Sequence, residues 1–371
     1  MKNKNKYVLS PCGTSLLTNG ASSSEERSRI FKYANVKKKE DIADDDREQL
    51  ENLIHKIDGN IKSADIKTAI RMSAEINGIV SIYEGRIPKN NDIHFLLSTD
   101  TWLGEQTSLL VEKWLRLQNK NFVTIVHRHT DLQTKDLAAF QLSLSELIRK
   151  FSLEITGYSK SGYKIIFNLT GGFKSVQGFL QSIANFYADE TVYIFETSSE
   201  LMRIPRLPIR MDAQSMIEEH VTALRNLVMD IVVTDIACIP EIFLIKLDGE
   251  TAFSPWGELM WNSSKSQIYS KELLPSPRPE KIAYGKKFKK DIKSLSPDRI
   301  EIINNRIDQL NRHLDEKGYN PDSLDFKQLK SVLMTPSTHE MDAWADLDAR
   351  RIFGHFENNL FVLDRLNHGL H

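Results

Sequence analysis

The sequence has little cysteine and no marked excess of charge of either sign. Its 371 residues carry 49 lysines and arginines against 50 aspartates and glutamates, a formal net charge of -1. No general electrostatic field therefore draws the chain to nucleic acid or to a membrane surface, and any RNA contact requires a local patch. The two cysteines, Cys12 and Cys238, lie far apart and form no metal-ligand pattern, as in proteins of a reducing compartment.

Long apolar runs and internal repeats are also lacking. No apolar run approaches the roughly 20 residues that a membrane-spanning helix needs. The N-terminal stretch MKNKNKYVLSPCGTS has no apolar signal-peptide core, because polar residues interrupt it at once. We therefore expect a cytoplasmic protein with no membrane partner. The length exceeds that of one typical domain, so two or three domains are expected.

The first half of the chain alternates short apolar runs with helical patterns. The runs have the β-branched and aromatic content of buried strands, and they cover residues 6–10, 93–99, 121–127, 163–170 and 191–197. Helical patterns lie between them at 24–56, 62–83, 105–118, 135–151 and 174–188. This alternation predicts an α/β, Rossmann-like domain with a parallel central sheet. The stretch 200–210 contains two prolines, which predicts an edge strand that closes this domain.

Small hydroxyl residues and glycines dominate the ends of the predicted strands, where ligands of such sheets bind. In NLTGGFKS (168–175), Gly171 and Gly172 allow the backbone to approach a ligand closely. The helix that follows turns its first N–H groups toward an anion, and Lys174 adds a positive charge. These features predict phosphate recognition. A tight strand-to-helix turn with a surface lysine would show the same residues.

Two motifs resemble the CRISPR-associated Rossmann-fold (CARF) family: GTSLLTN near the start, and NLTGGFKS followed by YIFETSSELMRIPRLPI. The resemblance is to the branch with a TGGFK turn, and it covers residues 1–210. It implies a homodimer that binds cyclic oligoadenylate, usually cyclic tetra-adenylate, as an allosteric activator with no further cofactor. A two-fold dimer suits a ring of even symmetry.

The same resemblance predicts the ligand-binding residues. They are Gly13, Thr14, Ser15, Asn168, Thr170, Gly171, Gly172, Lys174 and Ser175. Some members of the family also cut the ring with a serine and a lysine from these two loops. Whether Ser15 and Lys174 do so is left open by the sequence.

The second half of the chain has a different pattern. Residues 211–280 are predicted to form a mostly helical connector, with one helix over 213–230 and a proline- and serine-rich linker at 263–281. In 285–318 two short helices are predicted, the second starting at Ser296-Pro297 and ending at Gly318. Apolar and polar residues alternate over 349–368 around Asn358-Asn359, which predicts a β-hairpin.

This order of two helices, an LDFKQLKS segment and a hairpin that opens with arginine resembles the RelE/ParE-like toxins, including the HigB branch. The resemblance covers residues 281–371. It implies an α+β endoribonuclease that cleaves messenger RNA in the ribosome without a metal. In such a reaction the 2′-hydroxyl attacks the adjacent phosphate, which requires proton transfer and stabilisation of negative charge. Histidine suits the first task and arginine the second.

The predicted catalytic residues are Arg350, Arg351, His355 and His368. Arg351 matches the phosphate-binding arginine of the toxin pattern, and His368 matches its late basic position. Strand alternation places Arg351, Phe353 and His355 on one face. The preceding stretch THEMDAWADLDARR is acidic where the family has catalytic lysines, which shifts the chemistry onto arginine and histidine.

A lysine cluster supplies the predicted contacts to ribosomal RNA. It consists of Lys286, Lys287, Lys289 and Lys290. Such a cluster is more often a solvated helix face, and residues 281–371 carry only 15 basic against 14 acidic residues.

Two alternatives remain at this point. The R-x(4–6)-H pattern of helical HEPN ribonucleases occurs at Arg350–His355, Arg365–His371 and Arg306–His313, although Gly354 and the Asn-Asn turn favour strands in the first case. The second alternative is a CARF regulator without nuclease activity, which would bind DNA through the middle segment.

Overall fold

The computed structural model describes residues 4–87, 91–133, 136–195, 200–208, 213–233, 236–237, 239–247, 249–316, 318–330 and 335–369. The chain divides into two compact units, unit 1 (Met1–Arg210) and unit 2 (Met211–His371). The end of the predicted strand 191–197 and His371 lie outside the described residues. Among the residues that are described, no helix is long and apolar enough to cross a membrane.

Unit 1 is built on a six-stranded sheet. Its strands are β1 (Lys6–Cys12), β2 (Ile93–Ser98), β3 (Val123–Arg128), β4 (Lys164–Asn168), β5 (Glu190–Ile194) and β6 (Leu201–Pro205). Their spatial order is β3-β2-β1-β4-β5-β6, and β6 alone runs antiparallel to its neighbour. The predicted Rossmann-like α/β fold is confirmed. So is the edge strand, in which Pro205 is tolerated because one side of β6 needs no sheet partner.

The helices of unit 1 pack on this sheet. They are α1 (Ser15–Gly20), α2 (Ser24–Tyr33), α3 (Asp44–Ser63), α4 (Ile66–Met72), α5 (Ala74–Ile82), α6 (Trp102–Gln118), α7 (Leu137–Lys160) and α8 (Lys174–Tyr187), with a 3-10 turn at Lys39–Asp41. Val8, Leu96 and Ile166 on the strands pack with fully buried residues such as Trp114. Burial of this apolar surface is the main stabilising contribution to the unit.

Three helix predictions in unit 1 were wrong in extent, and one of them, 135–151, forms the longer helix α7, which runs to Lys160. The pattern at 24–56 forms two helices, separated at residues 34–43. The pattern at 62–83 is broken at Ser73, which leaves α4 and α5 as separate helices. The Ser73 hydroxyl accepts the N–H of Ile76 at 3.3 Å and so caps α5. A serine in this role starts a new helix, which apolar periodicity alone does not reveal.

Unit 2 begins with the segment predicted as a connector. Its elements are α9 (Gln214–Glu219), α10 (Val221–Leu227), β7 (Leu244–Leu247), β8 (Glu250–Phe253) and α11 (Pro255–Tyr269), with a 3-10 turn at Glu241–Phe243. The single helix predicted over 213–230 is interrupted at His220. The linker predicted at 263–281 was wrong in its first part, because α11 extends to Tyr269 and packs that residue in the interior.

The C-terminal part of unit 2 has the predicted α+β composition. It contains β9 (Ile282–Tyr284), α12 (Lys286–Ile292), α13 (Pro297–Asp315), β10 (Lys327–Gln328), β11 (His339–Trp344), β12 (Arg350–Glu357) and β13 (Leu360–His368). The strands form one sheet in the order β10-β11-β12-β13-β9. Helix α13 starts at Pro297 as predicted but ends at Asp315, before Gly318.

The predicted hairpin is confirmed, and the conformation of Asn358 and Asn359 explains why the chain turns at these two residues. Asn358 and Asn359 have φ of 49° and 67°. Two successive positive φ values are the geometry of a two-residue type I′ turn, and asparagine adopts them more readily than most residues. Arg350 and His355 therefore lie on a strand. This result contradicts the HEPN alternative at that pair, since HEPN chemistry needs both residues on one helix. Arg306 and His313 do lie on α13, but within an α+β unit.

The two segments of unit 2 share a buried ion pair. Arg225 on α10 and Asp308 on α13 are both fully buried, with 2.7 Å between Nε and Oδ1. The Tyr269 hydroxyl also donates to Asp308. The segment predicted as a connector thus packs through its interior against the segment predicted as toxin-like.

Candidate ligand-binding and catalytic sites

The carboxyl ends of β1 and β4 lie side by side where the sheet changes its winding direction. From β1 the chain adds β2 and β3 on one side, and it then crosses over to place β4 and β5 on the other. Ligands of doubly wound sheets bind in the crevice at this switch point. The loops that leave these two strands are the ones that carry the predicted ligand-binding residues.

Glycines bring the two loops into close contact. A Cβ atom on Gly13 would lie 3.2 Å from the Cα of Gly172, and one on Gly172 would lie 2.8 Å from the Cβ of Pro11. Gly172 also has a φ of +100°, which favours glycine. A Cβ on Gly171 would lie 2.4 Å from Oε1 of Glu75. Close contacts with the opposite backbone at Gly13, and with the side chains of Glu75 and Pro11 at Gly171 and Gly172, therefore favour glycine at these positions.

A buried carboxylate lies beneath both loops. Glu75, in the first turn of α5, is fully buried. Its Oε1 accepts the N–H of Gly13 at 3.0 Å, and its Oε2 accepts the hydroxyls of Ser15 at 2.6 Å and Ser73 at 2.7 Å. Glu75 is not among the predicted site residues, because the pattern over 62–83 predicts one continuous helix with Glu75 in its interior. The signal that could have revealed it is the helix break at Ser73.

Some predicted ligand-binding residues support the loops from inside. Asn168 is fully buried, and its amide donates to the Ser10 hydroxyl at 3.1 Å and to the Glu75 carbonyl at 3.2 Å. The Thr170 hydroxyl oxygen is buried next to Gly78. These two side chains and the N–H of Gly13 face the interior in this structure.

Other predicted residues reach the surface of the crevice. Lys174 and Ser175 are exposed at the start of α8, and Thr14 and Ser15 are half-buried at the start of α1. Phe173 is the N-cap residue of α8 and makes no side-chain cap. The first-turn N–H groups of this 14-residue helix are thus left for solvent or an anion.

The turn before α8 is held rigidly. The side-chain amide of Gln177 donates to the carbonyls of Leu169 at 3.0 Å and Gly171 at 2.8 Å. Gln177, which is also absent from the predicted site residues, thereby fixes the TGG turn relative to the helix that follows it.

The polar side chains of the loops after β2 and β3 form ion pairs and hydrogen bonds within the protein. Asp100 pairs with Arg128 at 2.9 Å and with Lys37 at 3.1 Å. Thr101 caps α6 by accepting the N–H of Gly104 at 3.2 Å. These polar side chains are therefore engaged within the protein.

In unit 2, three of the four predicted catalytic residues line one pocket of about 350 Å³. Arg350 and His368 face each other across β12 and β13, and Arg351 is adjacent. Trp344 and Leu347 form an apolar part of the wall. Because Arg350 and Arg351 are consecutive on β12, their side chains leave opposite faces of the sheet, and His368 shares the face of Arg350. The pocket at the strand ends thus places one guanidinium beside an imidazole, groups that can bind a phosphate and transfer a proton, with Arg351 at its edge on the other face.

His355 lies outside this pocket. It is opposite Val362 and four residues beyond Arg351, which corresponds to about 13 Å along a strand. Its Nδ1 is 2.9 Å from Oδ2 of Asp364, which also accepts the hydroxyl of Ser337 at 2.7 Å. The predicted set of four residues therefore separates into a group of three and His355.

Carboxylates surround Arg351. Its guanidinium contacts Glu340 at 2.6 Å, Asp342 at 2.9 Å and Asp325 at 3.3 Å. Lys327, more than Arg351, holds the pKa of Asp325 below its usual value. Glu340 and Asp342 come from the acidic stretch that the sequence analysis identified as a departure from the toxin family. In this conformation the positive charge of Arg351 is thus compensated within the protein.

The predicted RNA-binding lysines lie apart from this pocket. Lys286, Lys287, Lys289 and Lys290 are exposed on α12, whereas Phe288 and Ile292 of the same helix pack with Ile352 in the core. Ile352 and Arg351 are neighbours on β12 and so point to opposite faces of the sheet. The lysines are therefore on the other side of the sheet from Arg351.

Comparison with known proteins supports a CRISPR-associated protein. Residues 70–207 match the family model described as "CRISPR-associated protein (Cas_APE2256)". The matched segment includes Glu75, the TGG turn and strands β2 to β6. No curated protein gives a significant match to the chain.

Proposed function

We propose that this protein is an ancillary effector of type III CRISPR defence. In this proposal, unit 1 binds a cyclic oligoadenylate, and the C-terminal part of unit 2 responds by cleaving messenger RNA on the ribosome. The observation that carries the proposal is the crevice between β1 and β4, where two glycine-dependent loops meet at the switch point of the sheet. The match of residues 70–207 to a CRISPR-associated family supports the same reading.

The crevice offers complementary groups to a phosphate-containing ring. Lys174 supplies a full positive charge, and the uncapped start of α8 supplies N–H donors. A homodimer would present both groups twice, as a four-membered ring with two-fold symmetry requires. Cyclic tetra-adenylate is therefore the proposed activator.

The pocket in unit 2 suits cleavage by the RNA's own 2′-hydroxyl. In the proposed step the 2′-oxygen loses its proton to a base and forms a bond to the adjacent phosphorus. The bond from phosphorus to the 5′-oxygen breaks, and that oxygen receives a proton. The products are a 2′,3′-cyclic phosphate and a 5′-hydroxyl. Arg351 and Arg350 would stabilise the charge on phosphorus, and His368 would transfer a proton.

Activation would require a change around Arg351. In this conformation the guanidinium of Arg351 forms ion pairs with three carboxylates, those of Glu340, Asp342 and Asp325. A phosphate must therefore compete with these carboxylates for Arg351. A cyclic oligoadenylate that binds the active conformation more tightly than the conformation described here would shift the population toward the active conformation. The proposed effector is therefore off without its activator.

The decisive experiment is a cleavage assay with four arms, namely with and without ribosomes and with and without cyclic tetra-adenylate. We expect messenger RNA to be cut when both are present. Lys174→Ala should lower the response to the ring, and Arg351→Ala should abolish cutting at any ring concentration. Absence of cleavage with both components would refute the proposal. Equal cleavage of naked RNA would favour a ribosome-independent nuclease instead.

A further inference from the structure

Unit 2 contains a second cavity, of about 590 Å³, apart from the pocket that holds Arg350 and His368. Part of its wall is the segment 271–275, which lies between α11 and β9 in the chain. The rest comes from α12, the start of α13 and Tyr284 of β9. A volume of this size is typical of a site for an organic group rather than for a lone ion.

A buried asparagine of α13 holds the 271–275 segment in place. Asn304 is fully buried, and its Oδ1 accepts the N–H of Leu274 at 3.0 Å. Its Nδ2 donates to the carbonyls of Tyr269 at 2.9 Å and Glu272 at 2.8 Å. Moving the segment would leave these buried groups unpaired, which is costly. The cavity is therefore a preformed feature of unit 2.

Aliphatic side chains line the interior of the cavity. Leu273, Leu274 and Pro275 come from the segment, and Ile292 and Ile300 come from the two helices. None of these side chains can form a hydrogen bond. Their surface can bury the apolar faces of a ligand, but it cannot recognise a pattern of donors and acceptors.

The charged groups on the lining are mostly positive. They are Lys271, Lys289, Lys293 and the carboxylate of Glu272. Lys271 is already paired with Glu218. Within the part of the chain that the structure describes, Lys289 and Lys293 form no ion pair. An anion that binds beside the cavity would therefore meet two ammonium groups that the protein does not compensate.

These two lysines belong to a longer positive stripe. Residues 286–293 contain five lysines and one acidic residue, Asp291. The carboxylate of Asp291 accepts the N–H of Leu366 at 3.0 Å and is thus engaged with β13. Four of the lysines recur at helical spacing on one side of α12, namely Lys286, Lys289, Lys290 and Lys293. Positive charge at every turn suits a polyanion with regularly spaced phosphates better than a ligand with a single charge.

We infer that this cavity receives an unstacked base of single-stranded RNA, whose flanking phosphates bind Lys289 and Lys293. A positive stripe that follows the backbone, next to a site that buries a base, is a general way to bind single strands. Unpaired nucleotides of RNA offer bases that can leave the stack. The inference rests on the proposed function for the source of the RNA, which is ribosomal or messenger RNA. The binding itself needs neither activator nor cleavage.

The test measures the affinity of full-length protein, without ribosomes or activator, for two ligands. One is a single-stranded RNA of about eight nucleotides. The other is a ribose-phosphate chain of the same length without bases. Wild type should bind the RNA about ten-fold or more tightly, because only the RNA can bury a base. Equal affinity for the two ligands would overturn the inference, since charge alone would then explain the binding.

Leu273→Trp fills the cavity and leaves the lysines in place. It should lower the affinity for the RNA to that for the chain without bases, and it should leave the affinity for that chain unchanged. A folded Leu273→Trp protein that still prefers the RNA would overturn the inference.

A variant of two exposed lysines keeps the test decisive if Leu273→Trp does not fold. Lys289→Ala combined with Lys293→Ala should weaken binding of both ligands. The slope of log affinity against log salt concentration should become shallower by about 1.4, as expected for two lost phosphate contacts to a single strand. Lys120→Ala, at an exposed position in unit 1, should leave the slope unchanged. An unchanged slope in the double variant would overturn the inference.

Co-sedimentation with ribosomes separates the two sources of RNA. If ribosomal RNA supplies the base, Leu273→Trp should weaken binding to vacant ribosomes. If messenger RNA supplies it, only binding to messenger-loaded ribosomes should weaken. An acidic, leucine-containing peptide whose binding depends on Leu273, when RNA binding does not, would assign the cavity to a protein partner and overturn the inference. Loss of activated cleavage with RNA binding intact would refute the proposed function alone.

Discussion

Nη1 of Arg351 lies 2.6 Å from Oε1 of Glu340 on the neighbouring strand β11. Glu340 is buried, and only a small part of the Arg351 side chain is exposed. Both residues occupy the stretch in which RelE-like toxins would be expected to carry cationic residues. Arg351 is thus held by acidic partners in this conformation. In the proposed reaction the same guanidinium would have to leave these carboxylates to bind a phosphate.

The first prediction concerns the role of that guanidinium. Arg351→Lys keeps the positive charge but loses the planar fork that binds two phosphate oxygens at once. We expect the rate of activated cleavage to fall by about 100- to 1000-fold, the cost of losing one preorganised donor to transition-state charge. Single-turnover cleavage of messenger RNA on ribosomes measures this rate.

A matched control for that experiment is Lys287→Ala on α12. Lys287 is exposed on the opposite face of the sheet, so its loss should leave the single-turnover rate constant unchanged, even if ribosome affinity falls. A Lys287→Ala protein with the same rate defect as Arg351→Lys would contradict the location of the pocket.

The second prediction separates the two histidines of the hairpin. His368 is opposite Arg350 in the pocket, whereas His355 is paired with Asp364 outside it. His368→Ala should therefore lower the cleavage rate by about 100-fold or more, as expected for loss of a proton-transfer group. His355→Ala should change the rate by less than about ten-fold, since it removes only a side-chain contact with Asp364 outside the pocket. The reverse order in the same assay would move the active centre toward the hairpin turn.

The structure could be predicted from the sequence where a residue has only one plausible structural role. Gly171 and Gly172 after an apolar run indicated the switch-point turn, and Asn358-Asn359 indicated the hairpin. Both conclusions follow from backbone conformations that few residues adopt. The parallel sheet followed in the same way from strand and helix alternation.

Prediction from the sequence failed where a role depends on long-range contacts. Glu75 lies 60 residues from Ser15, and their contact exists only because α5 starts beneath the first loop. Asp325 and Glu340 likewise reach Arg351 from separate segments. Local pattern carries no information about such partners. For that reason the four predicted catalytic residues could be named but not sorted into those inside and outside the pocket.

The third prediction concerns the interior of unit 2. Arg225→Met would leave Asp308 buried without its counter-ion, and the free energy of unfolding should fall by about 3–5 kcal/mol. Adding Asp308→Leu should restore part of this loss, because no uncompensated charge then remains. Denaturant unfolding of the unit 2 transition measures both values.

The control is a solvent-accessible ion pair that also has one partner on α13. Arg312 on α13 is 2.9 Å from Asp230, and both side chains are substantially exposed. Arg312→Met should cost less than about 1 kcal/mol. If it costs as much as Arg225→Met, burial is not what makes the Arg225–Asp308 pair important.

The last prediction concerns acid stability of unit 1. His94 on β2 is fully buried with Nε2 3.2 Å from the Tyr83 hydroxyl, and burial, aided by the charge of Lys6, lowers its pKa to about 3. The unfolded chain protonates this histidine below about pH 6.5, but the folded chain does not until about pH 3. Its stabilising contribution is therefore complete above the unfolded pKa and is lost as the pH falls toward the folded one. At about pH 5 the loss amounts to about 2 kcal/mol.

His94→Gln isolates this contribution, because glutamine can still bond to the Tyr83 hydroxyl and does not titrate. Urea unfolding of the unit 1 transition, at about pH 7.5 and about pH 5, should show a drop in stability for wild type that exceeds the drop for the variant by about 2 kcal/mol. The carboxylates that also titrate in this range are common to both proteins and cancel in the comparison. An equal drop in the two proteins would mean that His94 takes up its proton in the folded state, and that β2 does not keep it from water.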